Sequence, residues 1–330
     1  MSQNYEAWNI QKSDFPTNGT VTDILHFLAG YGILAPSTHN TQPWLVEAVN
    51  NELIVNRRKD RDLPQADPDS TYWYMTLGAF AANITVAANN WGYTTTFSFA
   101  KDMSLSIAIT KAKVSALCDV DVITQRFSNK LPYSKKALPQ TLANKIQKVS
   151  SAHKQLKVHI ETDKTMNQLL DVHLVASGLV ADDKLFVKEL VSWLRTSNTK
   201  SYTGMPGFVM GLSNGESLVA KVVLTLQPRL FKKSKKIEKN LVRQSAGVIA
   251  ITSHNKDPKT LFEAGLCYQQ INLLLTSIGI QSAPLTALVH KQQQNKQACA
   301  IIHSRGTLLM FLRIGYPLKE IVAHTPRKMV

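Results

Sequence analysis

The sequence predicts an α+β chain made of two pseudo-symmetric copies with antiparallel-rich sheets. Three observations carry this expectation. Two apolar segments share a glycine frame: Gly78 and Gly92 bracket the first, Gly265 and Gly279 the second, each pair fourteen apart and offset by 187 positions. Ile84 and Ile271 hold the same place between those glycines. Strand-like runs flank both segments, so the order strand, helix, strand occurs twice.

Along the chain, Leu25 to Leu34 reads as a helix that Pro36 stops. Trp44 to Val55 reads as a hairpin turning at Asn50-Asn51. Thr71 to Trp91 places Trp73, Leu77, Phe80, Ile84, Ala87 and Trp91 at helical spacing, and Tyr93 to Ala100 and Ser104 to Thr110 alternate with period two. Ala137 to Val149 suits a short helix. Met166 to Trp193 suits one or two longer helices with Gly178 as the candidate break. Thr203 to Gly215 is a glycine-rich connector, open to reading as a lid or as a plain linker. Gly247 to Thr252 and Thr307 to Ile314 are β-branched or apolar runs on either side of the second long helix. Both long helices are apolar around much of their surface and should be buried. Their closing glycines suit left-handed caps. Their opening glycines lack a side chain where helices approach closely.

Composition narrows the function classes. With 330 residues and 44% hydrophobic content, a core forms without disulfides or structural metals. Cys118, Cys267 and Cys299 include no C-x-x-C pair and read as structural thiols of a reducing compartment. The first residues lack a basic, then apolar, leader, and no apolar run approaches ~20 residues. A cytoplasmic protein with no membrane partner is expected. The formal charge of +15 is concentrated in Lys232, Lys233, Lys235, Lys236, Lys239 and Arg243. That run has no interleaved aromatics and reads as a solvated face, so no nucleic-acid partner is expected unless salt-sensitive DNA binding is found. The nine histidines show no metal-ligand spacing. Neither dinucleotide-binding nor phosphate-loop glycine motifs occur.

The most specific stretch is Ala35-Pro36-Ser37-Thr38-His39-Asn40-Thr41-Gln42-Pro43-Trp44. Ser37, Thr38 and Asn40 offer short hydrogen-bonding groups on an irregular turn, Pro43 biases Gln42 toward extended backbone, and Trp44 anchors the first strand. Composition alone allows an ordinary helix stop. The stretch resembles the A-P-S-x-x-N-x-Q-P-W signature of FMN-dependent nitroreductases, as do residues 60–68 and the helix from Thr71 to Trp91 with its Gly78. The resemblance implies a nitroreductase-like three-layer αβα fold and places Pro36, Ser37, Thr38 and Asn40 near FMN. The family's R-x-S-x-R phosphate signature is resembled by Arg126-Phe127-Ser128-Asn129-Lys130, followed by Tyr133. Lys130 keeps the charge but lacks the guanidinium fork. Ser282-Ala283-Pro284-Leu285-Thr286 resembles the segment whose backbone N–H groups meet the flavin edge, which implies roles for Ala283, Pro284, Leu285 and Thr286. Residues 311–317 resemble the closing strand, and Arg327, with Lys328 beside it, resembles a phosphate-contacting basic residue.

The resemblance covers roughly 20 to 110 and 121 to 330 and is that of the Acg-like fused branch. It implies a pseudo-dimer with halves 1–120 and 121–330, a connector or lid at about 195–245, and one FMN per chain. Such a protein would pass a hydride from NAD(P)H through FMN to a small aromatic acceptor of nitroaromatic or quinone type, with no catalytic side chain and no metal. His39 is expected to be a turn residue rather than a proton donor. The alternative is an FMN store with little turnover. A monomeric pseudo-dimer or a further homo-oligomer is expected.

Overall fold

The computed structural model describes residues 3–101, 103–227, 230–231, 235–319 and 323–330, with residues 235–237 by backbone alone. Lys232 and Lys233 of the basic run lie outside the described residues. The first helix, α1 (Val21–Gly32), opens with a capping box: Thr20 Oγ1 accepts the Asp23 N–H, and the Asp23 carboxylate accepts the Thr20 N–H. The hairpin β1 (Trp44–Val49) and β2 (Glu52–Arg57) follows. It turns at Asn50 and Asn51, both left-handed at φ 50° and 62°, as the twist of a two-residue hairpin loop requires. Then come α2 (Thr71–Asn90), β3 (Tyr93–Phe99) and β4 (Leu105–Lys111). The four strands form an antiparallel sheet in the order β1-β2-β4-β3.

Two short helices, α3 (Asp121–Gln125) and α4 (Leu142–Ser150), lead to β5 (Leu156–Glu161). Inserted next are α5 (Asp163–Asp182), α6 (Lys184–Ser192), the two-residue strands β6 (Leu194–Arg195) and β7 (Met205–Pro206), α7 (Asn214–Leu226) and α8 (Lys235–Val242). The chain then runs through β8 (Gly247–Ser253), α9 (Pro258–Ser277), β9 (Gln281–Pro284), α10 (Ala287–His290), α11 (Gln292–Ile301) and β10 (Thr307–Gly315). The second sheet is also antiparallel, in the order β5-β8-β10-β9. Both sheets thus place their strands first, second, fourth, third, with a twenty-residue helix between second and third.

α2 and α9 meet at the centre of the molecule. A Cβ added at Gly78 would fall 2.0 Å from the Phe262 carbonyl oxygen, and one at Gly265 would fall 1.9 Å from that of Met75. The contact is reciprocal, because the 187-residue offset carries Met75 onto Phe262 and Gly78 onto Gly265. That is the geometry of a two-fold, isologous interface. Gly92 and Gly279 end the frame at φ 75° and 74°, the left-handed caps expected of them. β8 is buried on both faces. Ile249 and Ile251 pack toward α9 and α4, while Val248 and Ala250 pack toward α5, α10 and α11. The second sheet is therefore the middle of three layers. The first sheet packs against α1 and α2, and its strands keep many half-exposed or exposed residues.

Local departures from the sequence expectation have physical causes. The helix expected to break near Gly178 runs through it and breaks at Asp183, whose carboxylate accepts the Leu185 and Phe186 N–H groups and caps α6. The segment 203–215 is not a bare connector: β7 and the first turn of α7 occupy its ends. β5 alternates Leu156, Val158 and Ile160 with Lys157, His159 and Glu161, the period-two pattern of a half-buried strand, and is not among the elements expected from the sequence.

Candidate active site

The turn after α1 is a backbone in tension. His39, Asn40 and Gln42 all take left-handed φ, at 52°, 56° and 52°, a region that costs a non-glycine side chain roughly 1–3 kcal/mol. Gln42 departs from the extended backbone expected before Pro43. Its bonds explain why: its N–H donates to Ser37 Oγ at 3.0 Å, its Nε2 to the Tyr202 carbonyl at 2.5 Å, and its Oε1 accepts the Lys328 N–H at 3.0 Å. Tertiary partners outweigh the local bias. Asn40 is buried and saturated. Its Nδ2 donates to the Gly204 and Pro326 carbonyls at 3.0 and 3.1 Å, and its Oδ1 accepts from Arg327 and from Thr325 Oγ1. It ties together the turn, the inserted segment and the C-terminal segment.

The second group of residues is assembled by the edge of the second sheet. Ser128 bridges Ser282 in parallel, and the Asn129 N–H donates to the Ser282 carbonyl at 3.0 Å. The Arg313 guanidinium, on β10, donates to the carbonyls of Asn129 and Leu131 at 3.1 and 2.7 Å and lies over the Tyr133 ring. These contacts pair Ser128 and Asn129 with Ser282, at the start of the segment that holds Ala283, Pro284, Leu285 and Thr286. One expectation is corrected. Pro284 has no N–H, and the Leu285 N–H is spent on the Phe311 carbonyl at 2.8 Å, so neither offers a backbone donor to a ligand.

Arg126 and Arg327 then reach back to the turn. Arg126 Nη2 donates to the Leu34 carbonyl and Arg327 Nη2 to the Ala35 carbonyl, each at 3.0 Å. Only 4% and 2% of these residues is exposed, a state that needs compensation for a cation. Among the described residues no carboxylate lies within ion-pair distance of Arg126, Lys130 or Arg327. The Nε of each arginine is buried without a partner. Burial and the neighbouring Arg126 charge push the Arg327 guanidinium down to about 9. Burial also lowers Arg126. Lys328 is exposed.

After the turn comes a row of ring contacts. Lys130 is solvent-exposed, and the protein beside it lowers its pKa by desolvation. Its Nζ sits 3.7 Å from Met205 Sδ. Burial, then the Lys130 and His290 charges, push His39 down to about 3; burial, then Lys291, pushes His290 to about 4. Both rings are neutral near pH 7. Phe186 of α6 stands between them, with ring centroids 6.4 Å from His39 and 5.7 Å from His290. Tyr72 of α2 closes the row 5.2 Å from His290. His39 Nε2 and Tyr72 OH are buried without partners.

The structure therefore joins the turn to Arg126 and Arg327 through Leu34, Ala35 and Asn40, and joins the run 126–130 to the segment 282–286 at Ser282. Sequence reasoning missed Tyr72, Phe186 and His290, and also Trp8, which stacks on His324 at 3.8 Å and lies under the Arg327 guanidinium. Unpatterned aromatics and histidines carried no signal that could have found them. No group of three or more metal-ligating side chains occurs among the described residues.

No family model and no curated protein sequence matches this chain. Among solved structures, it is similar to the FMN-dependent nitroreductase NfnB from Mycobacterium smegmatis in complex with NADPH, at 13% identity over 63% of this chain and 92% of that one, TM-score 0.41. It is similar to oxidised iodotyrosine deiodinase bound to FMN and 3-iodo-L-tyrosine, at 14% identity over 64% and 95%, TM-score 0.41. It is also similar to a nitroreductase with bound FMN from Bacteroides fragilis NCTC 9343, at 12% identity over 64% and 93%, TM-score 0.39. Likenesses at this level transfer no residue role.

Proposed function

We propose that this chain binds one FMN and is an oxidoreductase of nitroreductase type, taking a hydride from NAD(P)H and passing electrons to a nitroaromatic or quinone-like acceptor. The observation that carries this reading is the buried pair Arg126 and Arg327, which faces no carboxylate and keeps two orphaned Nε–H donors. Buried cations without an anion are costly, and a phosphate dianion is the ligand that removes the cost. Arg126, Arg327 and Lys130 would hold the phosphate, with the Ser128 hydroxyl beside them. Pro36, Ser37, Thr38 and Asn40 would wall the ring, and His39 Nε2 and Tyr72 OH would pair with its polar edge. When bound, FMN supplies the two-electron chemistry. The chain's own contribution is preorganisation: the Leu34 and Ala35 carbonyls hold both guanidiniums in place before any ligand arrives. Flavin content tests the proposal. Purified protein should release about one FMN per chain, and colourless protein that takes up no added FMN would end it.

The halves 1–120 and 121–330 are proposed to be a fused pseudo-dimer. The shared strand order and the reciprocal Gly78 and Gly265 contacts support this. The site would then draw its turn from one half and its cations from the other.

A specific observation also favours the sequestering form of this function. The inserted segment covers the turn: Gly204 and Tyr202 bond Asn40 and Gln42, and the Glu189 carboxylate accepts the Gln65 and Ala66 N–H groups at 3.0 and 2.8 Å. Anaerobic mixing with NADPH separates the two. Rapid bleaching marks a reductase, and lasting yellow colour marks a store.

A further inference from the structure

Among the described residues, α7 carries an apolar face that stays exposed. Leu218, Val219, Val222, Val223 and Leu226 recur at the spacing of one helical stripe and are 52%, 61%, 49%, 37% and 75% exposed. Ser217 is the buried residue of the helix, and its Oγ accepts the Ser197 N–H at 2.9 Å, which pins the other side to the molecule. Five large aliphatic side chains on one thirteen-residue helix form a continuous patch, unlike singly scattered surface hydrophobics. The sequence that follows, 227–243, holds seven lysines and arginines against one acidic residue, Glu238. Lys221 lies on the helix itself, and the whole chain carries +15.

We propose that α7 lies flat on a bilayer surface rich in anionic lipid, with this stripe in the acyl boundary and the cations that follow it in sequence drawn to the headgroups. Two features of the patch select this occupant. A second copy of the chain would bring another +15 against the first, which electrostatics opposes. A folded protein partner is recognised through Trp, Tyr or Arg anchors, and the stripe has none. An acyl layer requires only apolar area and nearby positive charge. Such contact is peripheral. Among the described residues no helix is long and apolar enough to cross a membrane.

Flotation of the full chain with vesicles tests the proposal, using phosphatidylcholine alone and phosphatidylcholine mixed with phosphatidylglycerol. The chain should float with the mixed vesicles, remain behind with the neutral ones, and release as salt rises. Val222→Asp and Leu226→Asp should each weaken binding roughly tenfold or more while far-UV circular dichroism melting stays unchanged, since both positions are exposed. Wild-type protein that ignores the mixed vesicles, or aspartate variants that float as well as wild type, would overturn it. So would a concentration-dependent doubling of mass in light scattering that Leu226→Asp abolishes, because that result assigns the stripe to a second copy.

Discussion

Arg126 and Arg327 define the residue scale, because each is a charge that the apo fold holds at a loss. Hydrogen bonds to the Leu34 and Ala35 carbonyls orient them without neutralising them. This makes the effects of substitution opposite in sign for ligand and for fold. Arg126→Met keeps volume and removes the unpaired charge, so apo stability should change by less than about 1 kcal/mol or rise. FMN affinity should fall roughly tenfold to a hundredfold, the worth of a lost charge-assisted hydrogen bond. Isothermal titration with FMN and urea unfolding of apoprotein measure the two sides. A variant that lost stability and affinity in proportion would show Arg126 to be a structural residue only.

At the scale of elements, the α2–α9 crossing decides most. Alanine normally favours a helix over glycine by about 1 kcal/mol. At Gly78 and Gly265 the added methyl would meet backbone, which cannot swing aside as a side chain can. The clash should win, and Gly78→Ala or Gly265→Ala should each lower unfolding stability by about 1–3 kcal/mol. Because the two sites share one contact, the double variant should deviate from additivity by about 0.5 kcal/mol or more. Gly279 is the internal control: nothing lies within 4 Å of its added Cβ, but its φ is 74°. Gly279→Ala should cost about 1 kcal/mol from backbone strain alone, and Gly279→Asn less. Equal losses at all three positions would refute the close-approach account.

The whole molecule couples its cover to its site and its charge state to pH. Glu189 links α6 to the loop before α2, so Glu189→Ala should loosen the cover and speed NADPH bleaching of bound flavin about tenfold, read by anaerobic stopped flow. An unchanged rate would place the barrier elsewhere. His39, His290 and His324 are pushed down to about 3, 4 and 3, in each case first by burial. In the unfolded chain they titrate near ~6.5. Between those values the unfolded state binds protons that the native state refuses, so their contribution is complete above ~6.5 and is lost as pH falls toward 4. Asp67, raised to about 7 by burial, works in the opposite sense over a similar range, since its native state holds the extra proton. Three histidines outweigh one carboxyl, and the urea midpoint should fall from pH 7 to pH 4. A flat profile would show these rings to be solvated.

What the amino-acid order determined by itself is local and periodic. The glycine frame, the Asn50-Asn51 hairpin, the left-handed caps at Gly92 and Gly279, and the two long buried helices follow from backbone sterics and apolar spacing, which act within a few residues. The turn from Pro36 to Asn40 and the run from Arg126 to Lys130 stood out only by resemblance to the nitroreductase signatures; read residue by residue they are a helix stop and surface charge. Only the tertiary structure decided that Leu34, Ala35 and Asn40 receive the hydrogen bonds of Arg126 and Arg327 across gaps of 92 to 292 residues. It also set His39, Phe186, His290 and Tyr72 in one row of ring contacts, turned Gln42 left-handed against its proline, and spent the Leu285 N–H within the sheet. Those outcomes depend on which distant groups compete for each donor and on how much water burial removes, and neither quantity is written in any local window of sequence.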